Sequence, residues 1–158
     1  MKRTELPLKY RKKFDNIPYI VVATTCPDGS PWNTPVASFH FADDLTIYWA
    51  SWTENQHSRN IRHNSKAFIV IFDSTPANRK PSTGLYLDTV AMELTDKNEV
   101  MIAAKVFGND PYNPSDGREY LGNKPRRIYK STPQKIWINT DSKVNDDFVD
   151  VRKLIFES

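Results

Sequence analysis

The segment from Trp49 to Asn64 holds the residues whose types and spacing could do chemistry. Ser51, Thr53, Asn55, Gln56 and His57 gather at the head of a polar stretch that also carries Arg59, Arg62 and His63. Thr53-Glu54-Asn55-Gln56 has the pattern of a capping box, with Thr at the N-cap and Gln at N3, and predicts a helix running to about Asn64. Of residues 53–64 only Ile61 is a sizeable hydrophobe. Its burial contributes about 2 kcal/mol, little support for a helix this short. Unpaired N–H groups and the positive dipole end converge at a helix start, which suits a phosphate. A protonated His57 would add a charge partner for that anion. Glu54 opposes an anion, and a solvated capped helix explains the same residues; both readings stand at this point.

Other chemistry is sparse. His40, His57 and His63 are the only histidines, and they show no HExxH-like pairing, so no metal site is expected. There is no GxSxG elbow, no GxGxxG and no P-loop. Cys26 beside Pro27 reads as a small buried hydrophobe. No catalytic side chain stands out, so any reactivity has to come from a cofactor. Arg126, Arg127 and Lys130 flank Tyr129, and aromatics among cations can stack single-stranded bases on a small barrel. Acidic residues are spread throughout, which makes nucleic acid the weaker use of those rings.

The elements that must position these residues are mostly strands. Pro7 to Asn16 reads as a short basic helix with Leu8 and Phe14 turned inward. Tyr19 to Thr25 is rich in β-branched residues and predicts a buried strand. Cys26 to Pro31 is a turn built on Asp28-Gly29. Strands follow at about Trp32 to Phe41 and, after an Asp43-Asp44 turn, Leu45 to Ser51. Lys66 to Asp73 is an uninterrupted apolar strand, expected to be the most buried. Thr75 to Thr83 is a polar loop, and Gly84 to Thr95 a fifth strand. Asp96 to Phe107 predicts a second helix, boxed by Asp96 and Glu99 and closed by Gly108. Asn109 to Pro125 is loop. Ile128 to Thr140, interrupted by Pro133, and Phe148 to Ile155 supply the last strands. Mainly β with short flanking helices, in a meander or Greek-key order, this pattern fits a small barrel, because closure removes exposed edges.

The bulk numbers agree with one domain spanning residues 1–158. Hydrophobic residues make up 39% and charged residues 26%, values of a globular chain. A net charge of +3 is too small to argue for nucleic acid. Met1 to Phe14 carries six Lys/Arg and no apolar core, unlike a signal peptide. No apolar run approaches the roughly 20 residues of a membrane span. With one cysteine and no such segment, the expected location is the cytoplasm.

The order of these elements resembles a known family. A strand, an Asp-Gly hairpin, a strand with Thr34-Pro35-Val36, a strand ending Tyr48-Trp49-Ala50-Ser51, the polar helix Gln56-His57-Ser58-Arg59-Asn60-Ile61 and the apolar Ala67-Phe68-Ile69-Val70-Ile71 are similar to the pyridoxamine 5′-phosphate oxidase-like split-barrel flavoproteins. The resemblance covers Pro18 to Leu94, and more loosely Arg127-Ile128-Tyr129 to Trp137. It implies an FMN-binding split β-barrel and a homodimer with FMN at the interface. The ring system would lie near Pro35, Val36, Ala37, Trp49, Ala50 and Ser51. The phosphate would lie near Asn55, Gln56 and His57, with Asn60 supporting the turn. Trp137 of a second subunit would neighbour the ring. Members that oxidise pyridoxine phosphate carry an arginine and a lysine where this chain has Thr34 and Phe39, so that activity is not implied. The resemblance points instead to an FMN-dependent oxidoreductase acting on a small molecule, with a nicotinamide nucleotide as a possible donor. The alternatives are a non-catalytic flavin- or heme-binding module related to stress response and, least, a single-stranded nucleic-acid barrel.

Overall fold

A computed structural model describes residues 2–41, 45–73, 84–144 and 147–158. The expected Asp43-Asp44 turn and the Thr75 to Thr83 loop lie outside the described residues. The chain begins with helix α1 (Leu8–Asn16) and then strands β1 (Tyr19–Thr25), β2 (Pro31–Ala37) and β3 (Ile47–Trp52). Helix α2 (Gln56–His63), β4 (Lys66–Ile71), β5 (Leu85–Glu93) and helix α3 (Lys97–Ala103) follow. The long β6 (Arg126–Val144) and β7 (Asp147–Glu157) complete it. The sheet is antiparallel, in the order β2-β1-β4-β5-β6-β3, with β7 paired to β6 beyond β3. Among the described residues its two end strands, β2 and β3, meet through one isolated bridge. There Phe39 N–H donates to Tyr48 O at 2.9 Å and Tyr48 N–H to Phe39 O at 2.7 Å. The curled sheet closed at one point is a split β-barrel.

Alternation along the strands divides two faces. Ile20 and Val22, Ile69 and Ile71, Leu85 and Leu87, and Trp49 point into the barrel interior with Tyr10 and Phe14 of α1. A second core lies outside β3 and β6, where Tyr48 and Ile128 meet Val100, Phe107 and Tyr120. Asp28-Gly29 makes the expected turn, with Gly29 at φ +85°, a conformation that favours glycine. Gly108 at φ +55° ends the short 3-10 turn that follows α3.

Several expectations are corrected. Leu8 is exposed, and Leu6 and Tyr10 seat α1 beside Phe14 instead; the Tyr10 hydroxyl also donates to Asn139 O at 3.0 Å. β4 is not buried on both faces: Ala67, Ile69 and Ile71 are buried while Phe68 and Val70 are half-buried on the outer face. An uninterrupted apolar run cannot say that its outer side is left open. β2 ends at Ala37 rather than Phe41, because beyond it the chain leaves β1 to reach β3. Pro133 does not interrupt β6. It pairs with Thr89 where the β5 register shifts at Asp88/Thr89, an irregularity that tolerates a residue without an N–H. Asp96 caps α3 by accepting from Glu99 N–H at 2.8 Å, but the Glu99 carboxylate goes to Lys130 at 2.9 Å rather than back to the cap.

The seating of α1 yields a paired test. Tyr10→Ala is expected to destabilise the protein by roughly 3–5 kcal/mol, as for a buried aromatic, and Leu8→Ala by less than about 0.5 kcal/mol. Urea unfolding of the two variants measures both, and a reversed order would contradict this seating.

Candidate functional site

The feature that organises the site is where α2 begins. β3 runs on to Trp52, and Asn55 N–H closes a turn on Trp52 O at 3.1 Å. Thr53 is therefore a turn residue, its N–H donating to Pro125 O, and the N-cap is Asn55. The expected Thr53/Gln56 capping box is corrected on that ground. Asn55 makes no side-chain cap; its amide instead donates to Ser51 Oγ at 2.8 Å. The Gln56 amide donates to Asn60 Oδ1 at 2.8 Å and reaches Cys26 Sγ at 3.8 Å. The helix start thus bridges the end of β3, through Ser51, and the β1–β2 turn, through Cys26. It lies across the seam left open between the two end strands.

The first helical bond is Arg59 N–H to Asn55 O at 3.0 Å. The N–H groups of Gln56, His57 and Ser58 have no acceptor among the described residues. Three convergent donors at the positive end of a helix form a cradle for an oxyanion. Arg59 adds a nearby cation, shared with Glu54 at 3.7 Å and half-exposed.

Behind the cradle lies a buried polar network. Asn60 is fully buried and donates to Thr24 Oγ1 at 3.0 Å and towards Cys26 Sγ at 3.5 Å. Cys26 is half-exposed, not the buried hydrophobe expected. At the other end of α2, Arg62 donates to Thr53 O at 2.8 Å and to Glu93 at 3.1 Å. Glu93 also accepts from the Tyr129 hydroxyl at 3.0 Å and lies 3.7 Å from Arg127. Burial, and the neighbouring Glu93 carboxylate, push the Tyr129 phenol up to about 12. Tyr129 stacks on Trp49 with centroids 5.7 Å apart.

The structure thus brings Ser51, Asn55, Gln56 and Asn60 together with the His57 backbone. It places the remaining expected residues differently. Pro35 and Ala37 lie on the outer sheet face, opposite Val21 and Tyr19, while Val36 points into the core. Trp49 is 0% exposed, so only its backbone faces the seam. Ala50 packs against the second core. The His57 ring, 3% exposed, turns inward to meet Tyr129 edge-on at 6.3 Å. A side chain pointing at a phosphate, as read from sequence, is not what that ring does. Trp137 lies on the outer face beside Phe68. Counted along the register from Pro35 through Val21, Val70 and Tyr86, it stands four strand spacings away, roughly 19 Å. Thr24, Glu93 and Tyr129 were not legible as site residues, because each enters through a contact remote in sequence.

A model of the pyridoxamine 5′-phosphate oxidase family matches residues 6–140. Among curated proteins none matches. Solved structures with the same fold include the heme storage protein HutZ of Vibrio cholerae, at TM-score 0.69 and 15% identity over 84% of this chain and 94% of that one. A heme binding protein of Mycobacterium smegmatis aligns at TM-score 0.62 and 15% identity, over 89% of this chain but only 55% of its own. An F420 reductase aligns at TM-score 0.59 and 18% identity, over 83% of this chain and 98% of its own. At such identities the likeness is one of fold. No helix among the described residues is long and apolar enough to cross a membrane.

Burial of His57 has a measurable consequence. Among the described residues its Nε2 has no partner, and desolvation lowers its pKa below the ordinary 6.5. Below that value the unfolded chain takes up a proton that the folded ring refuses, so stability rises with pH across this window. The contribution is complete above about pH 6.5 and falls as pH drops towards the folded-state pKa. His57→Phe, which keeps a ring in place, is expected to lose less stability between about pH 7.5 and 5.5 than the parent. Urea midpoints at the two pH values measure this; equal slopes would place the ring in water.

Proposed function

The chain belongs to the pyridoxamine 5′-phosphate oxidase family, and on that premise we propose that it binds FMN across the seam between β2 and β3. In this reading it is a cytoplasmic homodimer, the chain acting as one domain, and an FMN-dependent oxidoreductase for a small molecule. The observation that carries the reading is the set of three unpartnered N–H groups of Gln56, His57 and Ser58 at the seam. Those donors, with Asn55 and Gln56 side chains beside them, suit a phosphate dianion. Charge-assisted hydrogen bonds of this kind are worth about 1.5–3 kcal/mol each. Among the described residues the facing edges of β2 and β3 share no ladder beyond the Phe39–Tyr48 bridge, which suits the polar edge of a flavin ring. FMN supplies hydride and electron chemistry when bound; the protein holds, orients and shields it.

The second subunit is supported by the outer sheet face. Tyr19 and Phe72 are exposed there and border, with Ile17, Val21 and Pro35, a hollow of about 340 Å³. Exposed apolar patches of this kind mark interfaces. On β6, the neighbour of β3, Trp137 lies eight residues beyond Tyr129, the partner of Trp49, roughly 26 Å along the strand, so a role beside the ring calls for a twin.

The substrate is not pyridoxine phosphate. At the two positions where that chemistry uses cations, the Thr34 hydroxyl accepts from the Trp32 indole at 3.0 Å, and the Phe39 ring packs edge-on against Phe107. The histidines give a heme reading little support. His57 is inside the core, and His40 lies against Phe14 and 3.6 Å from Asp15. Among the described residues only His63, at the far end of α2, remains outside such contacts.

Two ligands test the proposal. FMN should quench on binding and bind at least about tenfold more tightly than riboflavin, the value of one charged hydrogen bond. The FMN-loaded protein should sediment at twice the chain mass of 18.3 kDa. Equal affinities would remove the phosphate cradle, and a loaded monomer would remove the shared site.

A further inference from the structure

Glu93, the last residue of β5, lies outside the cradle yet reaches it by three routes. Its carboxylate accepts from Arg62 at 3.1 Å and from the Tyr129 hydroxyl at 3.0 Å, and lies 3.7 Å from Arg127. The first route runs through Arg62, whose other terminal nitrogen donates to Thr53 O at 2.8 Å. The second runs through Arg127, which donates to Gly122 O at 2.7 Å and to Arg126 O at 2.8 Å. Those bonds fix the loop whose Pro125 carbonyl accepts from Thr53 N–H at 3.0 Å. Both polar backbone groups of Thr53 are thus set by partners of one carboxylate. The third route runs through Tyr129, whose ring meets the His57 ring edge-on. Thr53 lies three residues before Gln56, and His57 supplies one of the three donors, so every route ends at the cradle.

We propose that Glu93 is a positioning residue and sets the preference of this site for a phosphate-bearing ligand; this rests on the phosphate site proposed above. Three N–H groups hold one phosphate only while their directions converge, because a hydrogen bond weakens steeply as its angle closes. Two guanidiniums drawn to one carboxylate fix those directions. The rigid fork of a guanidinium lets Arg62 bridge Glu93 and Thr53 O at once. Without the carboxylate, two like charges stand together with no anion between them, and the grip on both sides of Thr53 loosens. Charge alone works the other way: a negative charge repels phosphate, so removing it strengthens binding. The two effects have opposite signs, and the direction of the change decides between them.

Glu93→Gln, close to isosteric, separates them. Dissociation constants for FMN and riboflavin are measured by fluorescence quenching, with urea unfolding to check the fold. A general loss of structure weakens both ligands alike and leaves their ratio unmoved. The preference for FMN should fall about tenfold, the value of one charge-assisted hydrogen bond, with riboflavin affinity unchanged. Arg62→Lys keeps the charge but replaces the fork by a single ammonium, and should lower the preference in the same way. Glu93→Gln decides where it folds, and Arg62→Lys where it does not. A parent with no preference for FMN overturns the phosphate site and the role of Glu93 with it. A parent that prefers FMN, with a deciding variant that keeps or raises that preference, overturns the role of Glu93 alone.

Discussion

One pair of backbone hydrogen bonds, between Phe39 and Tyr48, is all that joins the end strands of this barrel among the described residues. Everything at the candidate site depends on that limited closure. If β2 and β3 paired along their length, their edges would satisfy each other and no seam would exist. Because they do not, the turn after β3 carries the chain across the opening, and α2 starts there with its first N–H groups unpaired. A helix start of this kind is usually capped by its own side chain. Here the Asn55 amide is drawn away to Ser51, which anchors the turn and leaves those N–H groups without a side-chain cap.

α2 contributes one sizeable hydrophobe to the core, Ile61, so polar contacts must hold it. Asn60 ties it to Thr24 on β1, and Arg62 ties it through Glu93 to β5 and β6. The same arginine grips Thr53 O, coupling both ends of the turn to one carboxylate. Buried networks of this sort add less to stability than to a unique geometry, and a cradle of three N–H groups needs that geometry. The cost is visible nearby, where the buried Trp49 Nε1 and His57 Nε2 lack partners among the described residues.

The strands, the Asp28-Gly29 turn and the barrel class were legible because each depends on local alternation and turn chemistry. The order of elements carried the family resemblance for the same reason. What was not legible required knowing which way a side chain turns. Thr53 and Gln56 satisfy a capping pattern, yet β3 runs one residue further and moves the start to Gln56. His57 and Trp49 have types suited to a ligand, but each points to Tyr129, a neighbour from the far end of the chain. Leu8 looked like a core residue beside Phe14; Leu6 and Tyr10 took that role. Glu93 carried no local signal, since its three partners come from α2 and β6.

The central claim is that the start of α2 holds a phosphate through its backbone. Amide ¹H–¹⁵N shifts of Gln56, His57 and Ser58 report this directly. Adding FMN should move all three downfield, as formation of hydrogen bonds to an anion requires, while riboflavin, which lacks the phosphate, should leave them near their unbound positions. Unchanged amide shifts with FMN bound would contradict the account.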